Sequence, residues 1–451
     1  MLRSAVIGLG LLIAQSAALA IGSGDLGLIE AVKDRRHAEI ERLIAEGADV
    51  NQAQPDGATA LSWAAFLDDS KAADLLLASG AKAKVADEYG DSPLTLAAAN
   101  GNSDLIGKLL DAGADAKSTR LNGETALMLA AGSGSLTGVK ALVAGGADIG
   151  AVEAAKGQDA LMWAAAGKHS EVVEFLVGQG ADVTKKSTGG FTALAFAATE
   201  DDARSVESLL AAGADAQLVL PDGTSVLMAA AAFRNLAAVD ALIDGGADVT
   251  VPNQSGLTAL HTAAQLGDVA LAEKLLAKGA DPNAKTAAAR GGRGGGGFRR
   301  GPAGESTPLL TAANAGHVEV MKALVAGGAD PKIRAQDGSS LLMNATASAQ
   351  LPVVEYAYSL DDDVTVVTDS GATLMHQSVT GTQNRATQDE ICNVISFLAS
   401  KGAPLDMKDG RGRTPIQVSD NIPIDKAGAL LYRLILASGE TPLVAPKDIK
   451  E

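Results

Sequence analysis

The chain has 451 residues, of which 47% are apolar but only 3% aromatic, and its formal net charge is −17. An acidic surface repels phosphates and anionic headgroups, which excludes general nucleic-acid binding and adhesion to anionic membranes. The single cysteine, Cys392, excludes an internal disulfide, a thiolate zinc site and a haem-attachment pair. It lies in an apolar helical stretch, where we expect a small buried core residue.

The segment 1–20 has the pattern of a secretory signal peptide. Arg3 gives a positive start, residues 5–14 form an uncharged apolar run, and Ala18-Leu19-Ala20 is a small-x-small cleavage box. The run is shorter than the roughly 20 residues of an ordinary membrane span. We therefore expect a periplasmic or secreted protein whose mature chain begins near residue 21. An uncleaved anchor, or an apolar start with no targeting role, is the alternative.

Over residues 21–286 the chain repeats itself. Successive copies of a Gly-Ala-Asp triplet lie 33 residues apart, with one step of 34 and with Lys82 in place of one aspartate. A fixed period of this size is the signature of a stacked-repeat protein, which is usually a binding surface. The glycines of the triplets are Gly47, Gly80, Gly113, Gly146, Gly180, Gly213, Gly246 and Gly279.

The unit that ends at Gly279 shows what each copy encodes. Thr258 is a candidate helix N-cap, and the apolar residues that follow it recur at helical spacing. Gly267 ends this first helix, a second amphipathic helix follows, and Gly279 stands where a C-cap glycine belongs. Each unit is therefore predicted to be a pair of helices followed by a turn.

The segment Thr258-Ala259-Leu260-His261-Thr262-Ala263-Ala264 closely resembles the Thr-Pro-Leu-His-x-Ala-Ala signature of ankyrin repeats. Ten further copies follow the same pattern, and an incomplete unit over residues 26–50 precedes them. This resemblance covers roughly residues 25–438 and implies an all-α ankyrin-repeat solenoid of helix-turn-helix units with projecting hairpin turns and a concave face. The other copies begin at Thr59, Ser92, Thr125, Asp159, Thr192, Ser225, Thr307, Ser340, Thr373 and Thr414.

The 33-residue repeat is interrupted in two places. An insertion over residues 287–304 is dense in glycine and predicts a flexible loop. It could dock an acidic partner or an anionic polymer, contact nucleic acid, lie back on the acidic body, or be merely a tolerated insertion. Residues 305–438 resume the repeats, with degenerate later units, a short insert at 381–388 and a capping unit before the tail 439–451. The arginines of the insertion are Arg290, Arg293, Arg299 and Arg300.

The sequence contains no recognisable catalytic or metal-ligating pattern. The five histidines have no metal-ligand spacing, and no serine lies in a nucleophile elbow. The resemblance implies that His261 and His376 form hydrogen bonds between repeats. The triplet aspartates recur with the scaffold and are therefore expected to hold turns. We predict a non-enzymatic protein with no cofactor and no metal.

The resemblance also implies where a partner binds, since ankyrin repeats use hairpin tips and the ends of first helices. Trp63 and Trp163 share one slot, for which core packing is favoured over partner contact. We predict a scaffold, monomeric on its own, that binds an unidentified protein; an accessory subunit of a periplasmic, possibly redox, enzyme is the alternative. The exported ankyrin proteins that it resembles are mostly bacterial. With the four arginines, the candidate contact residues are Tyr89, Asn122, Phe191, Phe233, Arg234, Leu257, Gln265 and Leu266.

Overall fold

The computed structural model describes residues 26–288, 304–380, 386–420 and 425–445. In these ranges it contains 24 α-helices and no strand, arranged in chain order as twelve pairs of first and second helices. We number the pairs as repeats 1 to 12, and hairpin n is the turn that precedes the first helix of repeat n. The predicted all-α repeat architecture is confirmed.

The chain forms two compact units, one ending at Asp148 and the other beginning at Ile149. The first unit contains repeats 1 to 4, in which first helices pack side by side and second helices pack side by side. Its helices are α1 (Gly27–Lys33), α2 (His37–Ala45), α3 (Ala60–Phe66), α4 (Ser70–Ala78), α5 (Pro93–Ala99), α6 (Ser103–Asp111), α7 (Ala126–Gly132) and α8 (Leu136–Ala144).

The second unit contains repeats 5 to 12, stacked in the same way. Its regular helices are α9 (Ala160–Ala166), α10 (Ser170–Gly178), α11 (Ala193–Thr199), α12 (Ala203–Ala211), α13 (Val226–Ala232), α14 (Leu236–Asp244), α15 (Ala259–Leu266), α16 (Val269–Ala277), α17 (Pro308–Ala315) and α18 (Val318–Ala326). The later, less regular repeats provide α19 (Leu341–Ala347), α20 (Leu351–Leu360), α21 (Leu374–Thr380), α22 (Gln388–Ser400), α23 (Pro415–Ser419) and α24 (Asp425–Ala437).

The first helices are short because each begins and ends at a defined residue. In α3, α7, α9 and α17, for example, the residue before the helix is an extended Thr or Asp whose side chain accepts the amide three residues on. Thr258 occupies this N-cap position in α15, as predicted, and Gly267 ends the helix in a left-handed conformation. Alanine and leucine fill the interior of these helices. Small side chains allow neighbouring helices to approach closely.

The triplet residues hold the turn after each second helix. The triplet glycines have φ between 84° and 94°, a left-handed conformation that favours glycine. The aspartate that follows accepts the amide two residues on at 2.8–2.9 Å, which confirms the expected turn-holding role. This bond is seen at Asp49, Asp115, Asp182, Asp215, Asp248, Asp281 and Asp330.

The long insertion in hairpin 9 leaves the stacking of repeats 8 and 9 intact. The amide of Thr286 donates to the Ser306 carbonyl at 3.0 Å, and the Ser306 amide donates to Thr286 Oγ1 at 2.9 Å, which closes the base of the insertion. Asn283 then brackets the next repeat by donating to the Gly328 carbonyl at 3.1 Å and accepting the Asp330 amide at 2.8 Å. Positions 289–303, for which the sequence predicts a flexible loop, lie outside the described residues.

Hairpin 5 shows how the one-residue increase in the repeat step is absorbed. Where other hairpins use a shorter Asp or Asn, Glu153 accepts the amides of Ala155, Lys156 and Gln158 at 2.7–3.0 Å. Burial opposes its charge, but these backbone donors outweigh burial and hold the pKa of Glu153 below its usual value. The longer side chain closes the longer turn.

Candidate functional site

The predicted hairpin residues lie on turns that are joined to one another. Tyr89 in hairpin 3 is 62% exposed, and Phe191 in hairpin 6 is 38% exposed. Asn122 in hairpin 4 is exposed and Leu257 in hairpin 8 is half-buried. The Leu121 amide donates to the Tyr89 carbonyl at 3.0 Å, and an equivalent bond joins hairpins 5 and 6. These bonds hold hairpin 3 against hairpin 4 and hairpin 5 against hairpin 6.

The predicted residues at the ends of first helices are more varied. Phe233 is 61% exposed, Gln265 is exposed and Leu266 is half-buried. Arg234 is also exposed, but its Nε donates to Asp268 Oδ2 at 3.0 Å. Since Asp268 is buried and caps α16, this arginine joins repeats 7 and 8 as well as facing solvent. Arg290, Arg293, Arg299 and Arg300 lie outside the described residues.

The sequence did not indicate that the aromatic side chains lie outside the core. Among the described residues, the buried hydrophobic set contains no Phe, Trp or Tyr and consists of Ala, Leu, Val, Ile and Met. Large aromatics usually supply much of a core. The described aromatics are all at least partly exposed. The most exposed of them lie on hairpins and on first helices or their ends, whereas those of the second helices are half-buried. Because these aromatic side chains lie outside the core, those on hairpins and first helices are the strongest candidates for partner contact.

The expectation that the tryptophans are core residues is therefore wrong, because both are half-buried. The thin interior between adjacent first helices admits Ala and Leu but not an indole. The Trp63 ring packs edge-on against Phe66 with centroids 5.7 Å apart, Lys33 lies 4.6 Å from the Trp63 ring centre, and Trp63 Nε1 donates to Gln54 Oε1 at 2.9 Å. In the described residues Trp163 Nε1 is covered and has no acceptor.

Cys392 also differs from expectation, since it is half-buried on α22 and not a full core residue. Burial, followed by the nearby Asp389 carboxylate, raises the pKa of its thiol. A raised pKa lowers the thiolate fraction and with it the reactivity of the cysteine. Its surroundings therefore favour the protonated thiol.

The two signature histidines join neighbouring repeats, as the resemblance implied. His261 Nδ1 accepts the Thr258 amide at 3.2 Å, and its Nε2 donates to the Ser306 carbonyl at 3.0 Å. His376 makes the equivalent bonds: its Nδ1 accepts the Thr373 amide, and its Nε2 donates to the Arg413 carbonyl at 2.9 Å. Burial lowers the pKa of both imidazoles, which favours the neutral form that these bonds require.

In the described parts of the chain, no three His, Cys, Asp or Glu side chains cluster in a way that could hold a metal ion. A separate finding for the same residues is that none of the helices has the length and apolar character to cross a bilayer.

The comparisons with known proteins agree with the geometry. A family model described as ankyrin repeats matches residues 28–120, 94–187 and 189–286, and a single ankyrin-repeat model matches residues 305–336. No curated protein matches the chain. The matches cover more than half of the sequence, and ankyrin repeats are modules for protein–protein interaction that are generally without catalytic activity. The chain is a member of the ankyrin-repeat family.

Proposed function

We propose that this protein is an exported bacterial scaffold, non-enzymatic and monomeric on its own, that binds another protein through its hairpins and the ends of its first helices. The observation that carries the proposal is the placement of the aromatic residues outside the core. Within each unit, a preformed surface of this kind loses little conformational freedom on binding. Exposed aromatics on it supply contact area at low entropic cost.

The test compares matched exposed residues on the two sides of the helix pairs. Tyr89→Ala and Phe233→Ala remove exposed aromatics from a hairpin and from the end of a first helix. Leu436→Ala is the control, since Leu436 is 51% exposed on the second helix α24. The partner is captured from the native cells with the intact protein and identified by mass spectrometry. Its affinity for each purified variant is then measured by calorimetry.

We expect at least one aromatic variant to weaken binding by about tenfold or more, as contact hot spots do, with the control near the parent value. Equal affinity for all three variants would exclude the hairpin and first-helix surface. Export is tested separately by cell fractionation of the full chain and of a variant lacking residues 2–20. We expect the full chain in the periplasm or the medium and the truncated chain in the cytoplasm.

A further inference from the structure

Hairpins 5 and 6 carry an unusual local charge for so acidic a protein. Lys156 and Lys186 are exposed and form no ion pair with any described residue. The acidic side chains of the same hairpins already accept hydrogen bonds within the protein. Glu153 and Asp159 are buried and accept backbone amides, and Asp182 accepts the amide and hydroxyl of Thr184. Hydrogen bonds leave these carboxylates charged, but only Asp182 is exposed, so that two exposed lysines face one exposed carboxylate at the surface of the two hairpins.

The two lysines are held close together by the backbone. The Thr188 amide donates to the Lys156 carbonyl at 2.7 Å, so that the two hairpin tips are directly bonded. Lys186 is two residues from that bond. The neighbouring Lys185 donates to the Gly150 carbonyl at 2.5 Å and forms an ion pair of 4.0 Å with Asp159, so that its charge is balanced by this buried carboxylate.

Apolar and aromatic side chains adjoin these lysines. Val152 is 44% exposed in hairpin 5, and Phe191 closes hairpin 6 through its carbonyl, which accepts the Ser187 amide at 2.8 Å. The Phe191 ring lies 6.0 Å from that of Phe196 on α11. Trp163 occupies the slot of Phe196 on the adjacent helix α9 and is half-buried. Exposed apolar area and positive charge thus share two neighbouring repeats.

The indole of Trp163 gives an independent sign that this place is incomplete. At the same slot Trp63 donates to Gln54, whose backbone position in hairpin 2 corresponds to Glu153 in the longer hairpin 5. The Glu153 carboxylate instead accepts backbone amides of its own hairpin. The Trp163 N–H is covered and has no acceptor among the described residues. A buried donor without an acceptor is unfavourable. A carbonyl or carboxylate of a partner that reaches this N–H would satisfy it.

We propose that hairpins 5 and 6, with Trp163, Phe191 and Phe196, bind an acidic segment of a partner protein that carries apolar or aromatic anchors. This rests on the proposed scaffold function and specifies the chemistry of its partner. The carboxylates face Lys156 and Lys186, and the anchors lie against the aromatic rings. The charge complementarity speeds association and selects against basic segments.

The test uses Trp163 as a reporter. Trp63→Phe leaves Trp163 as the only tryptophan of the two, and its emission is titrated in the full chain. The probe is a short tryptophan-free peptide with two Leu-Phe pairs between glutamates. A second peptide has lysine in place of each glutamate, and an oligothymidine represents a nucleic acid. We expect a saturable emission change with the acidic peptide, weakened by salt, and at least about tenfold weaker binding of the other two.

Two double variants locate the site. Lys156→Glu with Lys186→Glu should weaken binding of the acidic peptide by about tenfold or more. Lys82→Glu with Lys117→Glu is the control, because these lysines are also exposed and form no ion pair in the described residues; it should stay within about twofold of the parent. Circular dichroism checks that all variants are folded.

Three results would overturn the proposal: no saturable binding of the acidic peptide, equal binding of the lysine peptide, or an equal loss in the control variant. Tight binding of oligothymidine would instead identify a platform for single-stranded nucleic acid, which also combines aromatics with basic residues. The proposed scaffold function is judged separately. If Tyr89→Ala or Phe233→Ala weakens the native partner while the acidic peptide fails to bind, that function stands and only the present inference falls.

Discussion

His261 offers the sharpest test of how neighbouring repeats are held together. The side chain is fully buried, and the substitution His261→Met places there the residue that Met228 and Met343 provide at the same helix position. The volume is largely kept, but the Thr258 amide loses its acceptor. The Ser306 carbonyl is less affected, because it also accepts the Thr286 amide at 3.0 Å.

The expected cost follows from that one unpaired donor. Leaving a buried amide without an acceptor costs about 1–3 kcal/mol. In a stacked-repeat protein each repeat contacts only its neighbours, so the loss should appear in hairpin 8 and α15, where the Thr258 amide lies, and in the contact of α15 with repeat 9, where the bond to Ser306 is lost. Hydrogen exchange followed by mass spectrometry, together with urea unfolding at neutral pH, measures both the size and the place of the change.

Faster exchange confined to α15, α17 and their hairpins is the expected pattern. Met228→Leu in the preceding repeat is the control, since a volume-conserving exchange of this kind usually costs under about 1.5 kcal/mol and removes no hydrogen bond. If His261→Met leaves both exchange and the urea midpoint at the parent values, the histidine does not stabilise this boundary and the reasoning is refuted.

Three further outcomes are expected. Burial lowers the pKa of His261 and His376 in the folded protein, whereas in the unfolded chain a histidine binds its proton near about pH 6.5. The free energy of unfolding should therefore be greatest above that pH and decrease as the pH drops below it. The same decrease at low pH in a His261→Met/His376→Met variant would contradict this. Deleting residues 289–303 should leave the thermal midpoint within about 2 °C, since the base of the insertion is closed by its own hydrogen bonds; a larger fall would show that the insertion supports the stack. Glu153→Ala should destabilise hairpin 5 by about 1–3 kcal/mol, measured by hydrogen exchange of residues 150–159, because three amides lose their shared acceptor; exchange unchanged there would count against this account of the turn.

Much of the fold could be predicted from the sequence because the same local interactions recur. The N-cap at Thr258, the left-handed glycine of each triplet and the bonds of His261 each depend on a few neighbouring residues. Repetition then makes a weak local signal strong. The triplet aspartates could be assigned to turns for the same reason.

The surface was harder to predict, because exposure depends on neighbours in the next repeat. Trp63 and Trp163 were expected in the core, but the space between first helices is filled by alanine and leucine. Arg234 looked like a free contact residue until the structure paired it with Asp268, 34 positions away. The lysines of hairpins 5 and 6 carry no sequence motif, and only burial of the nearby acids makes them stand out.

The closure between Thr286 and Ser306 has a consequence for how this chain can vary. The hydrogen bonds across this base, with those of Asn283, leave repeats 8 and 9 packed as closely as repeats without an insertion. Segment length in hairpin 9 is therefore uncoupled from the geometry of the stack. Sequence gained or lost between residues 288 and 304 leaves these hydrogen bonds in place, so this position is a natural place at which such a protein can acquire a second activity, or an experimenter can attach one.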